Sequence, residues 1–234
     1  MNLMNVLLFN PAAQPEQPDD WQYYGRLSKI GKPFLAMLMG DKSLNPVKEM
    51  SQALSKMPAS ELLVKQLKND PAAAEMIQQR YMANSHNLEE LLKYPEDSLG
   101  YRYASLMIAR GFRSEDLYIS TQIDSDINYV TARIRQTHDI WHLITGFDVS
   151  EIDEIGLQAF YLAQFPDPLA ILLITNSLIA VTLLTPQEIP ILLSAMAKGW
   201  EMGRKAKPLF AQKWEENWEK PLTEWKTELN IQPA

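Results

Sequence analysis

RIRQTHDIWHLITGFDVSEIDEIGL (residues 133–157) contains a clear helical pattern and the chain's strongest candidate for a binding site. Two of the chain's three histidines, His138 and His142, stand four residues apart in it. Side chains at positions i and i+4 of a helix lie on the same face one turn apart, so both imidazoles can approach a single cation. The spacing therefore predicts a helix that carries a pair of metal-ligating histidines.

A turn follows directly after the histidines. Gly146 suits the position just beyond a helix, where left-handed backbone is required, and Asp148 or Ser150 can cap a second helix. In one continuous helix Glu154 would lie about 18 Å from His142 along the axis. A helix–turn–helix removes that separation, so we predict a site of three or four nitrogen and oxygen ligands for zinc or another divalent metal.

Two neighbours of the histidines are further candidates. Asp139 stands about 100° around the helix from His138, so it could ligate the metal from the side or accept a hydrogen bond that orients an imidazole. Arg135, one turn before Asp139, could hold an anionic substrate group, or it could form a salt bridge within the protein. The spacing thus gives His138, His142 and Glu154 as candidate metal-binding and catalytic residues, with Asp139 either a fourth ligand or the group that orients an imidazole. The alternative is that the histidines only pack and hydrogen-bond within a helical core.

The composition narrows the classes of partner and ligand. A formal net charge of −7 and a pI of about 5.1 provide no electrostatic footprint for nucleic acid, so no nucleic-acid partner is expected. The chain has no cysteine, which excludes disulfides, thiolate metal ligands and cysteine nucleophiles. A metal must therefore be held by histidine, carboxylate, backbone and water.

Helical periodicity, interrupted by prolines, dominates the rest of the chain. It predicts an all-α protein, with a flexible N-terminal arm at residues 1–20 and a single helical domain at residues 21–234. The apolar run at residues 169–185 is about the minimum length of a membrane span and includes Asn176, which favours a buried core helix. The N-terminus lacks the features of a signal or transit peptide, so we expect a cytoplasmic protein, either free or peripheral on the inner membrane.

Three tryptophans near the C-terminus have helical spacing. Trp214, Trp218 and Trp225 stand at i, i+4 and i+11, which predicts one helical face if Pro221 only kinks the helix. We interpret this face as packing against the body of the protein. A subunit or membrane-surface interface is the alternative.

These motifs resemble those of a known family. The run HDIWHLITGFDVSEIDE (residues 138–154) has the pattern HDxxH-x11-E, the hallmark of the coenzyme Q (ubiquinone) biosynthesis protein that is fourth in the yeast Coq series. YPEDSLGYRYASLM (residues 94–107) is similar to the family's LPxx(S/T)LG segment, with Tyr94 in place of leucine. The family's motif just before the HD pair is matched by Arg133, Arg135 and Gln136. Its C-terminal motif is matched by Trp214, Glu215, Trp218, Pro221 and Leu222. The resemblance covers about residues 21–231.

The resemblance implies an all-α fold, a divalent metal on His138, Asp139, His142 and Glu154, and a role in quinone biosynthesis. Family members are implicated in oxidative removal of the C1 carboxylate from a polyprenylated benzoate ring, which is replaced by hydroxyl. They are also described as scaffolds that bind isoprenoid lipid and gather other quinone-biosynthesis enzymes at a membrane surface. The residues leave open whether this protein is an enzyme or a scaffold, whether the metal is present, and whether the chain forms a homodimer.

Overall fold

A computed structural model describes residues 21–84, 86–114 and 123–232, and every regular element in these ranges is helical. The predicted all-α class is confirmed. The predicted arm, residues 1–20, lies outside the described residues, so the domain boundary stays a prediction. The α-helices are α1 (Trp21–Leu38), α2 (Asn45–Leu54), α3 (Pro58–Leu67), α4 (Pro71–Gln79), α5 (Leu88–Leu91), α6 (Leu99–Ala109), α7 (Asp126–Thr145), α8 (Glu151–Gln164), α9 (Pro168–Leu184), α10 (Ile189–Lys205) and α11 (Leu222–Glu228).

Proline and small polar side chains set where these helices begin. Proline occupies the first turn of α2, α3, α4, α9 and α10, where its missing N–H costs no hydrogen bond. The side chain of Ser125 accepts a hydrogen bond from the backbone N–H of Asn128 at the start of α7. Asp167 does the same at the start of α9, where its carboxylate accepts from the N–H of Leu169.

Two hydrophobic clusters form the core, and α8 contributes to both. The larger surrounds α7 and includes Trp141, Phe160 and Trp214. The smaller joins α1 and α2 to α8, α9 and α10, with Met50 and Ile155 buried in it. Because α8 lies between the two clusters, its position relative to α7 is determined by packing on several sides.

The described residues cover helix α9 along one side only. Its residues Leu173 and Val181 pack into the smaller cluster, whereas Leu183 and Leu184 are each 68% exposed. Asn176, the polar residue within the apolar run, is buried, and its amide donates to the carbonyl of Phe34 at 2.8 Å. Among the described residues, no helix combines the length and apolar character that crossing a bilayer requires.

The three C-terminal tryptophans do not share one helix, so that part of the prediction is wrong. Trp214 lies in a short 3₁₀ helix (Trp214–Glu216), Trp218 in the segment after it, and Trp225 in α11. Pro221 is the N-cap of α11, which makes it a boundary rather than a kink. All three indoles are buried within the chain, as expected for packing against the body, and they do not form an exposed interface.

Candidate metal centre

Helices α7 and α8 bring two histidines and a glutamate to one point. One ligand atom each from His138, His142 and Glu154 lies within 4.8 Å of the other two. The Nε2 atom of His142 is 3.1 Å from Oε2 of Glu154 and 3.2 Å from Nε2 of His138. The remaining pair, Nε2 of His138 and Oε2 of Glu154, is 3.5 Å apart. The helix–turn–helix thus places Glu154 opposite the two histidines, as the sequence predicted.

The turn between the helices has the predicted chemistry. Gly146 ends α7 with φ 81°, a left-handed conformation that glycine adopts without steric cost, and its N–H donates to the carbonyl of His142 at 2.8 Å. Ser150 caps α8 by accepting from the N–H of Asp153. A Cβ atom on Gly156 would lie 2.5 Å from the ring of Phe147, so the absence of a side chain there lets the turn pack against α8.

The orientation of His142 follows from a backbone contact in this turn. Its Nδ1 atom is 3.0 Å from the carbonyl oxygen of Phe147, and the side chain is 3% exposed. A carbonyl can only accept a hydrogen bond, so Nδ1 carries the proton and the lone pair of a neutral ring is on Nε2. Nε2 faces Oε2 of Glu154 at 3.1 Å. Without metal, a proton on Nε2 can be donated to that oxygen; in the neutral ring, the Nε2 lone pair and Oε2 can bind one cation together.

Further contacts fix the other two members of the cluster. The buried amide of Gln158 donates to Oε1 of Glu154 at 2.7 Å, which leaves Oε2 directed at the histidines. The phenol of Tyr161 lies 3.2 Å from Nδ1 of His138. Burial raises the pKa of Tyr161 well above its usual value, so this phenol is neutral.

The electrostatics keep the carboxylate ionised. Burial by itself raises the pKa of Glu154, but hydrogen bonds and charges from His138 and His142 outweigh it and hold that pKa well below the ordinary range. Burial lowers the pKa of His138, and the hydrogen bond and charge of Glu154 more than reverse this, so the net direction is upward. A partly buried, ionised carboxylate beside two imidazoles is thus electrostatically suited to bind a cation.

The structure does not place Asp139 or Arg135 in this cluster. The carboxylate of Asp139 accepts a hydrogen bond from Nη1 of Arg110, the C-cap residue of α6, at 2.5 Å. Asp139 still acts on the site through its charge, because it raises the pKa of His138 while Arg110 lowers it. Arg135 is exposed on α7, and partial burial of its guanidinium lowers its pKa. The proposed roles of Asp139 as a ligand and Arg135 as a substrate contact stay predictions.

The residues present fit a divalent metal by their donor chemistry. Two imidazole nitrogens and one carboxylate oxygen are a common set for zinc, and related transition metals accept the same donors. Three protein ligands leave coordination positions for water or substrate, the pattern of catalytic rather than closed structural sites. Phe147, Gln158 and Tyr161 complete the arrangement by contacting the ligands. Gln158 and Tyr161 had a sequence signal, because they stand at i+4 and i+7 from Glu154 on the same face of α8, whereas Phe147 had none.

The fold and site define an all-helical protein with a two-histidine, one-carboxylate centre on a helical hairpin. A model of the family described as "Coenzyme Q (ubiquinone) biosynthesis protein Coq4" matches residues 29–234, and the chain belongs to this family. The resemblance seen in the motifs is therefore confirmed.

Individual relatives agree with this assignment. The chain is 30% identical to the mitochondrial ubiquinone biosynthesis protein COQ4 homolog of Rattus norvegicus, over 72% of this chain and 64% of the relative. It is also 30% identical to mitochondrial COQ4 of Komagataella phaffii, over 71% of this chain and 55% of that protein. It therefore spans less than two thirds of the length of these relatives.

A solved structure has the same fold. The crystal structure of a protein assigned to ubiquinone biosynthesis in Nostoc punctiforme PCC 73102 superposes with a TM-score of 0.78. The two sequences are 31% identical, and the match covers 87% of this chain and 97% of the other.

Proposed function

We propose that this protein acts in the biosynthesis of a ubiquinone-like quinone, in the metal-dependent oxidative decarboxylation and hydroxylation of a polyprenylated hydroxybenzoate. The observation that carries the proposal is the convergence of Nε2 of His138, Nε2 of His142 and Oε2 of Glu154 within a chain of the Coq4 family. Catalysis, the identity of the metal and the substrate are all part of the proposal.

The overall reaction is an oxidation at one ring carbon. The bond between C1 and the carboxyl carbon breaks, CO2 leaves, and a C1–oxygen bond forms to give the phenol. With water as the source of that oxygen, two electrons and two protons are released, and we name dioxygen, reduced to hydrogen peroxide, as their acceptor. A divalent cation supplies Lewis acidity toward the carboxylate or phenolate oxygen of the substrate.

The residues of the chain have separable roles in this proposal. His138, His142 and Glu154 provide the ligand atoms, and the Phe147 carbonyl fixes which nitrogen of His142 faces the site. Gln158 restrains Glu154 so that one carboxylate oxygen is free to ligate. His138 and Glu154 have side chains that are 30% and 33% exposed, so a substrate can approach the cluster from their side.

The experiment is a turnover assay with a prenylated hydroxybenzoate in detergent micelles, with CO2 release and the hydroxylated product measured by mass spectrometry. We expect product from metal-loaded protein in air, none after chelation, and none from Glu154→Gln. Glu151→Gln is the matched control, because Glu151 is in the same first turn of α8 but its side chain is 80% exposed and pairs with Lys42. Failure of metal-loaded wild type to form product, or equal turnover by Glu154→Gln, would contradict the enzymatic proposal.

A second candidate is a non-catalytic scaffold that binds isoprenoid lipid and presents it to other quinone-biosynthesis enzymes at a membrane surface. The observation that favours it is the exposed apolar side of α9, which includes Ile171, Ile179, Leu183 and Leu184. An exposed apolar surface of this kind is typical of a lipid or protein interface. Mass spectrometry of the lipid that co-purifies with the wild-type protein, together with the turnover assay, distinguishes the scaffold from the enzyme. Bound prenyl lipid in a protein that shows no turnover supports the scaffold.

A further inference from the structure

We infer that Tyr161 is a positioning residue for the metal centre: its buried phenol oxygen accepts a hydrogen bond from Nδ1–H of His138 and so directs Nε2 of that ring towards the metal. The inference rests on the proposed metal site and adds a residue to it. Tyr161 is separated from His138 by 23 positions in the sequence, and it lies outside the HDxxH-x11-E pattern.

The phenol is held rigidly where it meets the histidine. Tyr161 is 1% exposed, and its ring stacks on Trp141 with a centroid distance of 4.5 Å and an interplanar angle of 18°. Phe165 packs against it as well, with centroids 5.8 Å apart. Because these neighbours are themselves buried, the hydroxyl has little freedom to leave its position 3.2 Å from Nδ1 of His138.

One face of α8 carries both a ligand and the groups that orient ligands. Glu154, Gln158 and Tyr161 stand at i, i+4 and i+7, which places them on the same side of a helix. Glu154 contributes Oε2, Gln158 binds the opposite oxygen of that carboxylate, and Tyr161 reaches across to α7. These residues of α8 therefore position two of the three ligand atoms, Oε2 of Glu154 and Nε2 of His138.

His138 needs such a partner more than His142 does. The side chain of His142 is 3% exposed and its Nδ1 faces a backbone carbonyl, which cannot move independently of the turn. The side chain of His138 is 30% exposed, and its Nδ1 has the Tyr161 phenol as its partner among the described residues. A histidine ligand depends on the group that accepts its second ring N–H, and loss of such a partner typically lowers metal affinity about 10- to 100-fold.

The variant Tyr161→Phe tests this role, since it removes the hydroxyl and keeps the ring that packs on Trp141. The matched control is Tyr129→Phe, because Tyr129 is equally buried but its hydroxyl donates to the carbonyl of Tyr81, away from the cluster. Affinity for Co²⁺ would be measured by competition with a chromophoric chelator. We expect Tyr161→Phe to bind about 10- to 100-fold more weakly with unchanged stoichiometry, and Tyr129→Phe to bind like wild type.

A spectroscopic measurement distinguishes positioning from a general loss of stability. In the Co²⁺ protein, proton NMR should show two paramagnetically shifted, exchangeable signals from the Nδ1–H groups of His138 and His142. We expect only the His138 signal to be lost to solvent exchange in Tyr161→Phe. Wild-type affinity and both protected signals in Tyr161→Phe would overturn the role of Tyr161 while leaving the metal site intact. Failure of the wild type to bind Co²⁺ would overturn the metal site and this inference together.

Discussion

Replacing Gly199 by alanine tests how closely α8 and α10 must pack to support the site. A Cβ atom at position 199 would overlap the carbonyl oxygen of Gly156 and lie 2.9 Å from its carbonyl carbon and 3.1 Å from the backbone nitrogen of Phe160. These are backbone atoms of α8, and ordinary contacts of this kind are 3.4–4 Å. No side-chain rotation can relieve the overlap, so the two helices must separate by roughly 1 Å or more.

The cost of that separation can be bounded. Overpacking a well-packed core usually costs about 1–3 kcal/mol, and a backbone-to-backbone overlap is expected at the upper end of that range. For a chain of this size, a loss of about 3 kcal/mol corresponds to a fall in Tm of about 6–12 °C. Because α8 also carries Glu154, the same displacement should weaken Co²⁺ binding.

Urea unfolding followed by circular dichroism measures the change in the free energy of unfolding. Gly31→Ala is the matched control, because Gly31 is inside α1 and a Cβ atom there meets nothing within 4 Å. Alanine is the better helix former, so Gly31→Ala should raise stability by about 0.5–1 kcal/mol. A Gly199→Ala protein as stable as wild type would refute the reasoning about α8–α10 packing.

Three further outcomes are expected. Arg133→Met leaves the carboxylate of Glu215 buried without its partner, because the side chains of Arg133 and Glu215 are 0% and 5% exposed. Urea unfolding should therefore show a free energy of unfolding that is about 3–5 kcal/mol lower than that of the wild type. A loss below about 1 kcal/mol would contradict this prediction. Burial raises the pKa of Asp167 from 3.8 to about 6, so the folded state keeps this proton longer than the unfolded state does. The free energy of unfolding should therefore fall by about 3 kcal/mol as pH rises from about 4 to 6. The Asp167→Asn protein should lack this pH-dependent loss, and a pH profile identical to that of the wild type would contradict the role of Asp167. Glu154 raises the pKa of His138, so Co²⁺ affinity should weaken steadily as pH falls from 7 towards 5, and affinity independent of pH would exclude His138 as a ligand.

The parts of the site that the sequence predicted are local in the chain. Gly146 and Ser150 are separated by only a few residues, and the left-handed turn and helix cap that they form depend on residue type. Once the turn is predicted, the approach of Glu154 to His142 follows from helix geometry alone.

The parts that the sequence did not predict depend on distant packing. Asp139 pairs with Arg110, which is 29 residues away at the C-cap of α6, and the position of α6 relative to α7 has no local signal. Arg133 pairs with Glu215, which is 82 residues further along the chain. The family motif that contains Arg133 could be recognised in the sequence, but the partner of Arg133 could not be predicted from it. The tryptophan spacing suggested one helix because periodicity alone does not show that Pro221 begins a new one.

The central claim is that His138, His142 and Glu154 bind one divalent metal ion. The most direct measurement is metal content by plasma mass spectrometry of protein purified without a histidine tag, reconstituted with Zn²⁺ or Co²⁺ and then desalted. We expect a stoichiometry near one ion per chain for wild type, and a clear loss for His142→Ala that still has wild-type helical content. Wild-type protein that remains well below one ion per chain after reconstitution, or His142→Ala that retains the full amount, would contradict the account.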